Sequence, residues 1–235
     1  MQLKEVDRAK GEMLATVNHE IRTPLTSVRG YLELVIQGEG GLIPAEASEM
    51  LKVADHNAER LSVLVDDMLT MSRLDAGNAK PDRQPVDLRR LLYRVTASLQ
   101  PFATSRHVSL DIDEANDDVT VLGDEAQLER AFTNLTQNAL KFTPAGGSVG
   151  IEMELESASV VVRVIDTGMG IPENDLPFLF GRFYRASNAQ KGAVPGTGLG
   201  LSIVHSLIRA NRGDVSIAST VDVGTTVRVA LPVAQ

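Results

Sequence analysis

His19 is the residue with the sharpest chemistry. It lies in Asn18-His19-Glu20-Ile21-Arg22-Thr23-Pro24-Leu25. An imidazole can act as a nucleophile, and the neighbouring Glu20 could accept its N–H proton. Ile21 and Leu25 belong to an apolar helical stripe, which turns His19 and Glu20 toward solvent. An exposed histidine on a helix is ordinarily a plain surface residue. Pro24 makes this one different. Proline inside a helix lacks the N–H and clashes with the carbonyl four residues back, at a cost of about 3 kcal/mol. A bend beside an exposed imidazole with an adjacent carboxylate marks a working position.

Three further segments could handle a phosphorylated ligand. Asn134, Asn138 and Lys141 recur at i, i+4 and i+7, about 100° round the helix from the apolar core stripe of Leu128, Ala131, Phe132, Leu135, Ala139 and Phe142, at 3.6 residues per turn. Amide oxygens suit Mg²⁺ and an ammonium suits phosphate. On this helix alone, a solvated polar face is the more ordinary explanation. Asp166-Thr167-Gly168-Met169-Gly170 follows an apolar strand. Its carboxylate could accept from an exocyclic amine such as that of adenine, and its glycines allow close approach to backbone. Alone, this pattern also fits an ordinary turn. Gly196-Thr197-Gly198-Leu199-Gly200 opens an apolar helix, where backbone N–H groups favour anions. It is neither a dinucleotide fingerprint nor a P-loop, because no strand leads into it and no Gly-Lys-Ser/Thr is present.

Phe178, Phe180, Phe183 and Tyr184 crowd into seven residues, either as a small satellite core or as an anchor for the loop that follows. His56, His107 and His205 show no ligand spacing, and no Ser-His-Asp arrangement is readable.

Two kinds of element must position these groups. Leu14, Val17, Ile21, Leu25, Val28, Leu32 and Val35 step by three and four, as on an amphipathic helix. Gly38-Glu39-Gly40-Gly41 and Pro44 break it. A second helix carries Leu51 to Met71 and ends near Asp75-Ala76-Gly77-Asn78. This helical hairpin leaves an apolar edge on each helix, which a second copy would bury in a four-helix bundle. From about Pro85 the period changes. Alternating strands are predicted at 107–113, 149–155, 160–164, 215–217 and 227–231, with helices near 88–104, 124–142 and 198–211. That interleaving predicts an α/β sandwich. The stretch 184–198, rich in Gly, Ala, Ser and Asn, reads as a mobile loop. The division is 1–79, a linker at 80–84, then 85–235.

Composition narrows the classes. The chain has 235 residues, 43% hydrophobic, and no cysteine, which excludes disulfide scaffolds and thiolate metal sites. The net charge of −8, spread over both parts, is not the basic footprint of a nucleic-acid binder. No apolar run reaches the roughly 18–20 residues of a membrane span, and no signal-peptide core opens the sequence. It reads as a soluble chain of a reducing compartment.

The order of the motifs is more specific than any one of them. His-Glu-x-x-Thr-Pro, Asn-x-x-x-Asn-x-x-Lys, Asp-x-Gly-x-Gly, Phe-Tyr-Arg and Gly-x-Gly-x-Gly together resemble the cytoplasmic core of two-component sensor histidine kinases, over nearly the whole chain. The resemblance implies a helical-hairpin dimerisation and phosphotransfer domain, then an ATP-binding domain of the gyrase, Hsp90 and histidine-kinase type. It makes His19 the phospho-acceptor, Glu20 its base, and Thr23 the residue that orients water when the partner is dephosphorylated. Asn138 would hold Mg²⁺ with Asn134 in support, and Lys141 would contact phosphate. Asp166 would read the adenine amine, with Gly168 and Gly170 shaping its pocket. Residues 184–196 would be the ATP lid, with Arg185 and Lys191 as phosphate contacts. Gly196, Thr197, Gly198, Leu199 and Gly200 would border the phosphates. The implied partners are a second copy and a response-regulator receiver domain. The implied location is cytoplasmic, with members of the family often tethered to a membrane upstream.

One position separates kinase from ATPase. The gyrase- and Hsp90-like ATPases carry a water-activating Glu four residues before the Mg²⁺-binding Asn. Here that residue is Asn134, whose neutral amide cannot take a proton near pH 7. Two rival classes stay open at this point: an ATP-sensing scaffold without transfer, and a chaperone- or topoisomerase-like ATPase. The intact His19-Glu20 pair argues against the first, and Asn134 and the short chain against the second. Ala210-Asn211-Arg212-Gly213 departs from the family's Ala-His-Gly-Gly, which bears on the turn there. Asn18 and Phe142 depart from a small residue and from Tyr.

Overall fold

The structure is a computed structural model that describes residues 21, 23–39, 41–75, 81–113, 119–156, 158–192, 194 and 196–233. The chain divides into two units, Met1–Ala79 and Lys80–Gln235.

In the first unit, residues 23–36 are helical (α1), and α2 spans Ala45–Asp75. Pro24 lies within the helical run, while the carbonyl of residue 20 lies outside the described residues. Gly38 and Gly41 adopt φ of 89° and 99°, so the turn falls where the glycines predict it. Ala58, Val65, Leu69 and Met71 of α2 are buried. Val28, Tyr31, Leu34, Val53, Leu61 and Val63 remain exposed on the single chain, leaving a sizeable apolar surface on both helices.

The second unit starts earlier than the sequence pattern suggests. The strand β1 spans Gln84–Asp87 and pairs antiparallel with β3, Thr120–Gly123. Gln84 is therefore a strand residue rather than linker. Arg83 donates to the Ala210 carbonyl at 2.6 Å, and the Asp82 N–H to Asp124 Oδ2 at 3.2 Å, so the approach to β1 is pinned as well. Between these strands lie α3 (Leu88–Ser105) and β2 (Ser109–Ile112). His107, read as the start of a strand, stands instead in a turn at φ 55°.

Then follow α4 (Glu125–Phe142), β4 (Ser148–Glu156), β5 (Ser159–Asp166), a 3-10 turn at Glu173–Phe178, α5 (Ser187–Lys191), α6 (Gly200–Ala210), β6 (Asp214–Thr220) and β7 (Gly224–Pro232). A five-stranded sheet has the order β2-β4-β5-β7-β6. Only β2 and β4 run parallel, with α4 in the crossover between them. The helices α3, α4 and α6 bury Leu88, Leu91, Leu92, Leu128, Phe132, Leu135, Leu140, Ile203 and Ile208 against Ile151, Val160 and Val162. Each such side chain contributes roughly 1.5–3 kcal/mol.

The ends of α4 have local causes. The Asp124 carboxylate caps it, accepting from the Gln127 N–H at 3.1 Å. Thr143 is extended at ψ 128° because Pro144 follows, which disfavours a helical residue before it. Phe142, predicted on the main core stripe, is only half-buried. It packs instead on a satellite cluster of Leu179, Ala186 and Ala189 with Ile171, Leu176, Tyr184, Leu201 and Ile217.

Candidate functional site

The predicted groups of the second unit converge on one end of its helical layer. Asn134 and Asn138, one turn apart on α4, are half-buried. The Asn138 side-chain N–H donates to Asn134 Oδ1 at 3.1 Å. Gly200, the first residue of α6, backs onto this pair, and a Cβ there would lie 2.6 Å from Asn134 Oδ1. Farther along α4, the Lys141 ammonium lies 5.0 Å from the centroid of its neighbour Phe142. It is also 3.0 Å from where a Cβ on Gly196 would stand. The Gly196–Gly200 segment thus runs along the polar ridge of α4, in contact with it at both ends. Thr197 Oγ1 accepts from the Leu199 N–H at 3.1 Å, and Leu199 is buried, which anchors the turn into α6.

Asp166 ends β5 and is 9% exposed. Its Oδ1 accepts from the Gly168 N–H at 2.8 Å and from the Thr225 N–H of β7 at 3.2 Å. Burial pushes this carboxyl above the usual carboxylate range, and the two backbone donors offset part of the rise. Gly168 leaves no room for a side chain, since a Cβ would stand 2.6 Å from the Phe142 carbonyl oxygen. Gly170 has φ 62° and lies against the Thr220 carbonyl, so both shape and dihedral require glycine there.

The stretch 184–198 is not a plain loop. It contains α5, and its two ends meet. Gly198, at φ 73°, packs against the backbone of Phe183 and Tyr184. The aromatic run therefore closes the neck of this segment. Tyr184 joins the satellite cluster, while Phe178 and Phe183 are largely exposed and Phe180 stacks near His205 at 5.1 Å. Arg185 donates to the Val194 carbonyl at 2.5 Å, so its guanidinium is engaged by the segment itself. Lys191 ends α5 and is exposed.

Asp175, Ser187 and Asn188 escaped the sequence reading. The Asp175 carboxylate accepts from Tyr184 Oη at 2.6 Å and from the Ser187 N–H and Oγ, both at 2.8 Å. These donors hold its carboxyl below the usual range, and the same bond raises the Tyr184 hydroxyl. An Asp in a loop carries no periodic signal, so nothing in spacing marks it.

Thr23 is exposed on α1. His19 and Glu20 lie outside the described residues. Among the described residues, no three His, Cys, Asp or Glu side chains form a metal cluster. Also among them, no helix is long and apolar enough to cross a membrane.

Comparison with known proteins places both parts of the chain in known families. Residues 9–77 match the His Kinase A (phospho-acceptor) domain family. Residues 123–235 match the family of histidine kinase-, DNA gyrase B- and HSP90-like ATPases. The circadian input-output histidine kinase CikA of Synechococcus elongatus is 35% identical over 226 residues, covering 95% of this chain and 30% of that protein. The sensor histidine kinase WalK of Bacillus subtilis is 33% identical, over 97% of this chain and 38% of its own length. The crystal structure of full-length ShkA in complex with AMPPNP superposes with a TM-score of 0.78 at 30% identity, over 95% of this chain and 46% of ShkA. The chain thus spans less than half of each of these relatives. It belongs to the sensor histidine kinases, as a phospho-acceptor region followed by an ATPase-type domain.

Proposed function

We propose that this chain is the catalytic core of a homodimeric sensor kinase that moves the γ-phosphoryl group of ATP to His19. From His19 the group passes to an aspartate of a response-regulator receiver domain. Residues 1–79 supply the acceptor and the dimer contact, and residues 85–235 hold the nucleotide. The observation that carries this reading is the meeting of the Asn134–Asn138–Lys141 ridge with the Gly196–Gly200 segment, with Asp166 held at the end of β5.

The donor set fits Mg²⁺·ATP. Asp166 keeps a carboxylate oxygen for the adenine amine, because its two backbone donors both go to Oδ1. Glycine at 168, 170 and 200 lets these segments of the site pack directly on Phe142, Thr220 and Asn134. Asn138 would hold Mg²⁺ through its amide oxygen, with Asn134 fixing that amide. A single neutral oxygen suits an ion bound chiefly by phosphates. The ion would neutralise charge on the phosphates. Lys141 adds a cation, with Arg185 and Lys191 as contacts from the lid and the N–H groups of 196–200 along the phosphates.

In the transfer, a His19 ring nitrogen bonds to the γ-phosphorus as the bond to the β–γ bridging oxygen breaks, and ADP leaves. Glu20 takes the imidazole proton. Little else is needed, because catalysis of this class is positioning and charge stabilisation. Asn134 cannot activate water, which disfavours idle hydrolysis at the nucleotide. Thr23, four residues after His19, would orient water on the phosphorylated partner, giving phosphatase activity as well.

The test is incubation with γ-labelled ATP and Mg²⁺, wild type beside His19→Gln. Acid-labile, base-stable label on wild type alone supports the reading. Tight ATP binding with no label sinks it in favour of an ATP-sensing scaffold. Sustained phosphate release untouched by His19→Gln sinks it in favour of an ATPase.

A further inference from the structure

The five residues of α5 are too few to hold a helix by themselves. Three contacts hold them. Asp175 caps the turn through Ser187 and ties in Tyr184. Ala186 and Ala189 are buried in the satellite cluster. The Asn188 side-chain N–H donates to the Gly170 carbonyl at 2.8 Å. Gly170 packs against Thr220 on one side and is followed by Ile171, whose N–H donates to Ser219 Oγ at 2.9 Å. Asn188 thus joins two parts of the site that are 18 residues apart in sequence: the Asp166–Gly170 loop and the turn that ends in Lys191.

We propose that Asn188 is a positioning residue that couples occupancy of the Asp166–Gly170 pocket to the placement of the 187–191 turn, with Asp175 holding the turn that carries it. The proposal rests on the nucleotide reading above. A purine against Asp166 stiffens the loop whose carbonyl Asn188 grips, and the turn bearing Lys191 is stiffened with it. The phosphate side of the site is then ordered by a ligand that has no phosphate.

The experiment uses adenosine, which can reach only the base pocket, on the full chain and on Asn188→Ala and Asn188→Asp. Adenosine binding is followed by saturation-transfer NMR, and tryptic cleavage after Lys191 by mass spectrometry. Saturating adenosine is expected to slow wild-type cleavage roughly fivefold, the scale of one coupled hydrogen bond, and to leave both variants unchanged. A merely structural Asn188 would raise cleavage with and without adenosine alike and keep the ratio. That result overturns the coupling, as does bound adenosine that slows none of the three proteins. Wild type that binds neither adenosine nor Mg²⁺·ATP overturns the nucleotide reading itself.

Discussion

The Asn138 amide donates to Asn134 Oδ1 across one turn of α4, and Gly200 at the start of α6 touches that same oxygen. The bond fixes the Asn138 carboxamide through its nitrogen, so its carbonyl oxygen is not the atom spent on Asn134. One residue is thereby held by another, and Asn134 in turn packs against a position on a different helix. Asn138→Ala is expected to lower phosphoryl label about a hundredfold, as for loss of a group that stabilises transition-state charge. Half-buried polar truncation should leave the melting temperature close to wild type. Initial rates with labelled ATP, alongside a thermal melt, check both halves.

Gly200→Ala tests the contact from the other side. Its backbone dihedral is ordinary, so the constraint is space alone. The new methyl must push Asn134 aside, which breaks the pair without unfolding α6. The expected outcome is about a tenfold higher KM for ATP, equivalent to about 1.4 kcal/mol, with normal helicity by circular dichroism. An unchanged KM would show that Asn134 does not steady Asn138 for the nucleotide.

Asp166 sets a conflict between stability and binding. Its folded carboxyl is raised above the ordinary value by burial. The folded state therefore keeps a proton that the unfolded chain has lost. This contribution favours folding below the ordinary carboxylate range and is lost as pH rises through the raised folded value. Asp166→Asn should melt no lower than wild type near pH 7 and should lack this component of the acid-side pH dependence. Adenine-nucleotide affinity should fall at least about tenfold, because a buried acceptor is replaced by an amide. Melts from about pH 3 to 7 with a nucleotide titration measure the two effects, and a variant that melts lower would contradict the sign.

Arg212 sits at φ 62°, where a side chain is strained by about 1–2 kcal/mol. The turn after α6 forms nonetheless, because the Asn211 carboxamide oxygen accepts from the Asp124 N–H at 2.7 Å and its amide donates to Gln127 and to the Leu207 carbonyl. Arg212→Gly relieves the strain but adds freedom to the unfolded chain. A net gain of up to about 1 kcal/mol in urea unfolding is expected, with phosphorylation unchanged.

The long elements were legible from the amino-acid order because burial imposes a period on it. A stripe at 128, 131, 132 and 135 has to lie against a core, and the Asn134–Asn138–Lys141 ridge follows as its neighbour. Glycine acts locally, so the turn at 38–41 marked its own boundary. The strands β1 and β3 were not legible, since four residues with one or two buried side chains carry too little pattern, and Pro85 argues against a strand. Phe142 looked like main core by spacing, yet only the packing of α5 shows which cluster it serves. Asp175 and Asn188 belong to the tertiary structure altogether. Their partners lie 9 to 18 residues away along irregular backbone, where no periodicity links one position to the next and only folding brings donor to acceptor.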